Sequence, residues 1–119
     1  MDCLFCDKEA FLESELHYAR FDKFPVTEGH CLIISKRHVE TWFDLTLDEQ
    51  ADAFLLIQQV KLWLDEKYSP DGINIGMNCG VSSGQTVLHS HIHVIPRYEG
   101  DMSNPRGGVR GVIPEKQNY

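Results

Sequence analysis

Residues 84–97 read GQTVLHSHIHVIPR, and the stretch has the two-residue period of a β-strand. The alternation predicts a strand from Val87 to Ile95, closed by Pro96. Residues i, i+2 and i+4 of a strand share one face, so we expect His89, His91 and His93 to follow one another about 7 Å apart. Core packing does not require three imidazoles in a row, so this row indicates a functional site.

Two chemistries fit three histidines on one face. Neutral imidazoles at neighbouring positions can share a metal ion in a three-histidine cage. Alternatively, one imidazole attacks phosphorus and forms a covalent nucleotidyl intermediate, while its neighbours orient the phosphate.

The loop before the histidines favours the second chemistry. Gly84, Gln85 and Thr86 follow a run of small residues and immediately precede the predicted strand. Glycine lets backbone amides approach an anion closely, and Gln and Thr side chains add hydrogen-bond donors for phosphate oxygens. The arrangement therefore indicates a phosphate pocket that faces a nucleophile.

Working outward, the clearest predicted element is a helix from Leu47 to Tyr68. Thr46 and Glu49 have the spacing of a capping box, and the segment SPDG at 69–72 is expected to end the helix. Hydrophobic residues recur at helical spacing and predict a broad buried face: Ala53, Phe54, Leu56, Ile57, Val60, Trp63 and Leu64.

Short strands are predicted on both sides of this helix. A hairpin is expected within 10–22, a strand at 31–34 and another at 73–78. The pattern predicts an α+β fold, an antiparallel β-sheet with one long α-helix. We expect 1–119 to form a single domain, in which the tail at about 102–119 has no regular structure.

Composition excludes several classes of protein. The 119 residues include 42% hydrophobic and 24% charged residues, which is typical of a globular domain, and the net charge is −7. Such a charge argues against binding to polymeric nucleic acid, although a local pocket of amides can still hold one phosphate. We find no apolar run long enough for a membrane helix and no secretory signal, so we expect a cytoplasmic protein that does not bind membranes.

The sequence resembles the histidine triad (HIT) family. Residues 89–95 follow the family's alternation of His with hydrophobic residues, with Ser90 as a departure in the first hydrophobic position. The stretches FDKFPVTEGHCLIISKRHV at 21–39, DGINIGMN at 71–78 and SSGQTVLHSHIHVIPRY at 82–98 are similar to that family in its order, and the resemblance covers about residues 1–101.

This resemblance implies a purine-nucleotide-binding protein, often homodimeric, whose enzymes cleave at the α-phosphate through a covalent nucleotidyl-histidine. By motif position, His91 is the implied nucleophile, His93 holds the phosphate and His89 supports the site. The remaining implied positions are Asn78, Gly84 and Gln85 at the phosphate, Thr86 near the leaving group and Asp22 at the ribose hydroxyls.

A second set of residues indicates a metal. Some family members pair an N-terminal C-x2-C with two histidines to hold structural zinc, and the matching residues are Cys3, Cys6, His38 and His89. Two thiolates and two imidazoles are a standard closed tetrahedral set. The other cysteines, Cys31 and Cys79, are interpreted as small core or surface residues. His17 and His30 have no evident partner and are interpreted as structural.

The leading hypothesis is a nucleotide hydrolase or transferase close to the dinucleoside polyphosphate hydrolase branch of the family, acting on a small nucleotide. A nucleoside phosphoramidase is the alternative enzyme. A non-catalytic nucleotide-binding or adaptor protein is the alternative from another class, followed by a plain metal-binding protein that uses all three histidines.

Overall fold

The computed structural model describes residues 3–119, which form one antiparallel sheet of five strands with a long helix against it. The strands are β1 (Leu12–Glu13), β2 (His17–Phe21), β3 (Cys31–Ser35), β4 (Gly72–Gly76) and β5 (His91–Arg97). Their order across the sheet is β1-β2-β3-β5-β4, and every neighbouring pair is antiparallel. The predicted α+β class is confirmed.

Helix α1 (Leu47–Tyr68) has the predicted bounds and the predicted cap. The backbone N–H of Glu49 donates to the Thr46 hydroxyl at 3.1 Å, and the Thr46 N–H donates to the Glu49 carboxylate at 2.9 Å. Both are backbone donors that the helix itself cannot satisfy. At the other end Ser69 adopts the left-handed conformation, with φ of 50°, and ends the helix.

The core lies between α1 and the sheet, and it is narrower than the sequence pattern predicts. Ala53, Leu56, Val60 and Leu64 are fully buried against β2, β3 and β5. Phe54 is 59% exposed, so its predicted place in the buried face is wrong. Each residue turns a helix by about 100°, and the position after Ala53 therefore lies off the edge of the buried stripe.

The opposite face of the sheet carries the polar side chains. Across β2, β3 and β5, Tyr18 pairs with Ile34 and Ile34 with His91, while the next row joins Arg20, Leu32 and His93. Residues paired across strands point to the same side of a sheet. His91 and His93 therefore share this second face with Arg20 and Tyr18, away from α1.

Strand β5 is displaced from its predicted position. It begins at His91, because residues 87–89 form bends and the Ser90 N–H donates to the Val39 carbonyl at 2.7 Å. It also continues through Pro96, which pairs with Ile73. The Pro96 carbonyl accepts a hydrogen bond from the Thr27 hydroxyl, beyond the end of β3. The N–H and C=O of one residue point to the same side of a strand, so the N–H that proline lacks would also lie beyond β3. Its absence therefore removes no hydrogen bond of the sheet.

The segment 102–119 also differs from the expectation of irregular structure. It contains two 3-10 helices, Gly108–Val112 and Pro114–Lys116, and the first packs against β4. Gly107 and Gly108 have φ of 87° and 42°, a region that glycine enters at little cost. Local turns of this kind leave no hydrophobic period, so the pattern of the sequence does not predict them.

Within residues 3–119, α1 lacks the continuous apolar length that would let a helix cross a bilayer.

Candidate active site

His91 stands in the second face of the sheet, and the backbone fixes its ring. Its Nδ1 lies 2.7 Å from the carbonyl oxygen of His89. A carbonyl can only accept, so Nδ1 carries the proton and the neutral ring keeps its lone pair on Nε2. Burial lowers the pKa of His91 below its ordinary value, which favours this neutral form at pH 7. His91 therefore lies in the cavity wall with an unprotonated ring nitrogen, Nε2.

His93 is oriented by a chain of hydrogen bonds that begins in the loop before β3. The Val26 N–H donates to Nδ1 of His30 at 2.9 Å, so the proton of His30 is on Nε2. That nitrogen lies 2.9 Å from Nδ1 of His93, which must accept, and the remaining proton of neutral His93 is then on Nε2. His91 and His93 thus have opposite tautomers: the first offers a lone pair, the second an N–H donor.

His30 is a site residue that sequence reasoning missed, and the expectation that it has no partner is wrong. Besides His93, its Nε2 lies 3.4 Å from Oδ2 of Asp22. Its position before β3 gives no hint of this contact, because His93 is distant in sequence. His17 also has a partner, since its Nδ1 lies 3.0 Å from the Asp52 carboxylate, but this pair ties β2 to α1.

Asp22 lies beside the two coupled histidines, at the end of β2. Its Oδ1 accepts the N–H of Phe24 at 2.9 Å, and this bond turns the loop after β2. Its Oδ2 faces His30 and stands 3.9 Å from Nδ1 of His93. The half-buried carboxylate is therefore held in place by the backbone while one oxygen remains at the cavity wall.

These side chains open into a cavity of about 640 Å³ on the second face of the sheet. Its size is in the range of small-molecule sites. The sequence-predicted residues that line it are Asp22, Asn78, Gly84, Thr86, His91 and His93. Apolar side chains form another part of the wall: Leu4, Phe5, Phe24, Val26, Leu32 and Val87. The cavity thus combines an unprotonated imidazole nitrogen, N–H and hydroxyl donors, a carboxylate and an apolar surface.

Gln85 does not lie among the lining residues. Its side chain is buried, its oxygen accepts the Gly80 N–H at 2.8 Å, and its amide donates to the carbonyls of Glu40 and Val87. The amide N–H groups are both used, so the expected donation from this side chain to phosphate is contradicted. Gln85 instead holds the loop 80–87 in shape.

His89 also departs from its predicted place in a row of three. Its ring is buried, Nε2 donates to the Ser35 carbonyl at 2.6 Å, and Nδ1 faces the sulfur atoms of Cys3 at 3.2 Å and Cys6 at 3.6 Å. The ring does not enter the cavity, so a direct role at phosphorus and a three-histidine cage both disagree with the structure. The bends at 87–89 are the physical reason.

The four residues predicted to hold zinc come together. The donor atoms of Cys3, Cys6, His38 and His89 all lie within 4.8 Å of one another, and Sγ of Cys6 is 3.1 Å from Nδ1 of His38. Ligands of a tetrahedral zinc ion, bound at about 2.0 to 2.3 Å, are separated by comparable distances. Because Nε2 of His89 is protonated, its Nδ1 has the lone pair that a metal needs. The set therefore fits zinc.

A second cavity, of about 520 Å³, adjoins the first and is covered by the C-terminal segment. The two cavities share Val26, His30, Asn78 and His93. Its other walls include residues 74–77 of β4 and the turn after it, Ile95 and Arg97 of β5, and Val109, Val112 and Gln117 of the covering segment. His93 therefore stands on the border between two adjacent spaces.

Comparisons with known proteins agree with this architecture. A family model described as HIT domain matches residues 6–100. A bis(5'-adenosyl)-triphosphatase from Dictyostelium discoideum is 40% identical over 81% of this chain and 64% of its own length. An asymmetrical bis(5'-nucleosyl)-tetraphosphatase from Schizosaccharomyces pombe is 37% identical over 80% of this chain and 52% of its own. The chain thus spans between half and two-thirds of these two relatives.

A solved structure described as a Zn-bound histidine triad family protein from Mycobacterium smegmatis superposes with a TM-score of 0.76 and 34% identity. The match covers 86% of this chain and 79% of that protein. The family model, the relatives and the shared fold agree: the chain belongs to the HIT domain family.

Proposed function

We propose that this protein hydrolyses dinucleoside polyphosphates through a covalent nucleotidyl intermediate on His91. The observation that carries the proposal is the pair of opposite tautomers in one cavity. His91 has a free lone pair on Nε2, while His93 has a donor on Nε2 for a phosphate oxygen. Backbone groups that cannot exchange roles fix both states, so the site is prepared before substrate binds.

In the first step, Nε2 of His91 forms a bond to the α-phosphorus, and the bond from that phosphorus to the bridging oxygen breaks. The leaving nucleotide departs as a phosphate anion and needs no proton. In the second step, water attacks the same phosphorus, the P–N bond breaks and His91 regains its neutral form. The products are a nucleoside monophosphate, the remaining nucleotide and one proton released to solvent.

The second cavity supports a substrate with two nucleosides. It begins at His93 and Asn78, where the bridging oxygen would lie, and its walls include Ile95, Val109 and Val112. An apolar pocket of this size suits a second nucleoside better than the small amine that a phosphoramidate releases. The names of the relatives, a triphosphatase and a tetraphosphatase of dinucleosides, agree with this choice.

A turnover screen tests this function. Diadenosine and diguanosine tri- and tetraphosphates are compared with adenosine and guanosine phosphoramidates, with His91→Asn as the control. We expect the dinucleotides to have the higher kcat/KM, and we expect oxygen from labelled water in the monophosphate product. A preference for phosphoramidates would indicate the alternative enzyme, and nucleotide binding without turnover would indicate an adaptor.

We also propose that Cys3, Cys6, His38 and His89 bind one structural zinc ion. The close approach of the four donor atoms and the description of the mycobacterial relative as Zn-bound support this site. Bound zinc would join the N-terminal segment to the strand that carries His91, so its contribution is to stability rather than to the chemical step.

A homodimer is the last part of the proposal. Strand β4 lies at the edge of the sheet, and Ile75 on this strand is 47% exposed. An edge strand with an exposed branched residue can pair with its copy. We expect a dimer by light scattering and a monomer for Ile75→Lys; a monomeric parent protein would contradict this arrangement.

A further inference from the structure

Arg20 is a buried cation in the wall of the nucleotide cavity that the proposed mechanism does not use. It lies on β2, in the same cross-strand row as Leu32 and His93, and its side chain points to the same face. The residue is only 9% exposed, and its guanidinium carbon lies 4.8 Å from the centre of the Phe5 ring.

The guanidinium is poorly satisfied by the protein itself. Within residues 3–119 it has no carboxylate within salt-bridge distance, and its Nε has no hydrogen-bond acceptor. Its one bond to protein is a long one, from Nη1 to the Leu4 carbonyl at 3.5 Å. The Phe5 ring compensates part of the charge, but a buried guanidinium is normally paired or fully hydrogen-bonded. This site therefore lacks an acceptor.

The position of Arg20 relative to His93 indicates where that acceptor comes from. Two strand spacings separate them, or about 10 Å between backbones. The phosphate lies at His91 and His93 and the ribose at Asp22, if the proposed function is right. Phe5 contacts the His91 ring, with centroids 4.9 Å apart, and also carries the Arg20 guanidinium. The part of the wall formed by Phe5, Leu32 and Arg20 therefore adjoins the phosphate position and can receive the base.

We propose that Arg20 is a specificity-determining residue that selects guanine over adenine. A guanidinium is a planar fork of donors with no acceptor. Guanine presents two acceptors, O6 and N7, on one edge, whereas adenine presents the N7 acceptor beside an amino donor. The guanidinium can therefore donate two hydrogen bonds to guanine. Adenine instead places its amino group against a guanidinium N–H, and both donors then lose their water without gaining an acceptor.

Binding measurements test this inference without requiring turnover. In calorimetric titrations we expect GMP to bind at least about tenfold more tightly than AMP, in line with the discrimination typical of bidentate Arg–guanine contacts. IMP keeps O6 and N7 but lacks the 2-amino group, so it should bind like GMP. The analogue 7-deaza-GMP lacks N7 and should lose most of the advantage.

Two variants distinguish the effect of the planar pair of donors on Arg20 from the effect of its positive charge. Arg20→Met should weaken GMP binding about tenfold more than AMP binding, and Arg20→Lys, which keeps the cation, should not restore the difference. Equal affinities of the parent protein for GMP and AMP would overturn the inference, as would an equal loss of both in Arg20→Met, which is what a merely structural role predicts. The nucleotide analogues give the answer even if Arg20→Met does not fold.

The outcome is independent of the proposed reaction. A protein that prefers GMP through Arg20 but hydrolyses no dinucleotide would refute the hydrolase and support the base selection. A protein that hydrolyses diadenosine and diguanosine polyphosphates equally well would support the hydrolase and refute the base selection.

Discussion

A hydrogen bond joins the ring of His91 to the main chain of His89. Nδ1 of His91 donates to the main-chain carbonyl of His89 at 2.7 Å, while the imidazole of His89 faces Cys3 and Cys6 on the other side of the chain. One residue therefore serves two groups: its carbonyl sets the tautomer of His91, and its ring belongs to the cluster of Cys3, Cys6, His38 and His89.

Replacement of the nucleophile should separate chemistry from binding. His91→Asn removes the lone pair that attacks phosphorus, and we expect kcat to fall by at least about a thousandfold. Such a loss is typical when a covalent catalyst is removed. Nucleotide affinity should change by less than about tenfold, because Asp22, Thr86 and His93 remain in the cavity wall. Rapid acid-free quench of the parent protein should trap a nucleotidyl adduct; a fast His91→Asn enzyme would contradict the assignment.

The hydrogen bond from His30 to His93 should matter for rate although His30 is not the nucleophile. The Asn side chain in His30→Asn is too short to donate to Nδ1 of His93. His93 is then no longer held in the tautomer that has its proton on Nε2. We expect kcat to fall about tenfold or more, with a smaller change in KM. His30→Gln carries an amide donor near the position of Nε2 and should recover part of the rate. Equal losses in the two variants would show that only packing is involved.

Zinc should stabilise the fold. Replacing Cys3 and Cys6 together by Ser should abolish bound zinc, measured by elemental analysis, and lower Tm by several degrees, with a smaller effect on the rate per folded molecule. Cys79→Ser is the matched control, because Cys79 lies outside the cluster. An absence of zinc from protein purified without chelator, or an unchanged content in the double variant, would refute the site.

Acid should weaken the protein through Glu49. The Arg37 guanidinium, which donates to its carboxylate at 2.8 and 3.1 Å, holds the pKa of Glu49 at about 2, against an ordinary value of 4.5. A depressed folded pKa stabilises the native state above pH 4.5, and this contribution is lost as the pH falls from 4.5 toward 2.

Because the Glu49 carboxylate is buried and pairs with Arg37, Tm should fall by several degrees in Glu49→Gln at pH 7. The difference between Glu49→Gln and the parent protein should shrink as the pH falls below 4.5. A constant difference across that range would mean that the ion pair contributes nothing. Glu66→Gln, an exposed site on the same helix, is the control.

The sequence was informative where a local rule determines structure. The Thr46–Glu49 capping box predicts the start of α1. The turn-forming residues at 69–72 predict its end, which the structure places at Tyr68, before Ser69. His91 and His93 alternate with buried Ile92 and Val94, so the side that faces the cavity could be predicted from period alone.

Contacts between distant segments were not predictable in the same way. The buried side chain of Gln85 forms hydrogen bonds with the backbone of Gly80 and Glu40. No spacing rule distinguishes such bonds from donation to a phosphate. His30 meets His93 only because β3 and β5 are neighbours, and that pairing is a property of the whole sheet. His89 does not share the face of His91 and His93 for a similar reason. The contacts of its ring with Cys3 and Ser35 determine its orientation, and the two-residue period of the strand does not predict them.

The ladder between β3 and β5 has a consequence for the order of folding. It joins Ile34 to His91 and Cys31 to Val94, with the whole of α1 and β4 in the intervening chain. Pairings across such long loops carry the largest entropic cost and are slow to form. The hairpin of β1 and β2 and the helix can form from local contacts, whereas the cavity lined by His91 and His93 exists only after β5 pairs with β3. We expect recovery of nucleotide binding during refolding to coincide with the last kinetic phase, and amide protons of β5 to gain protection in that same phase.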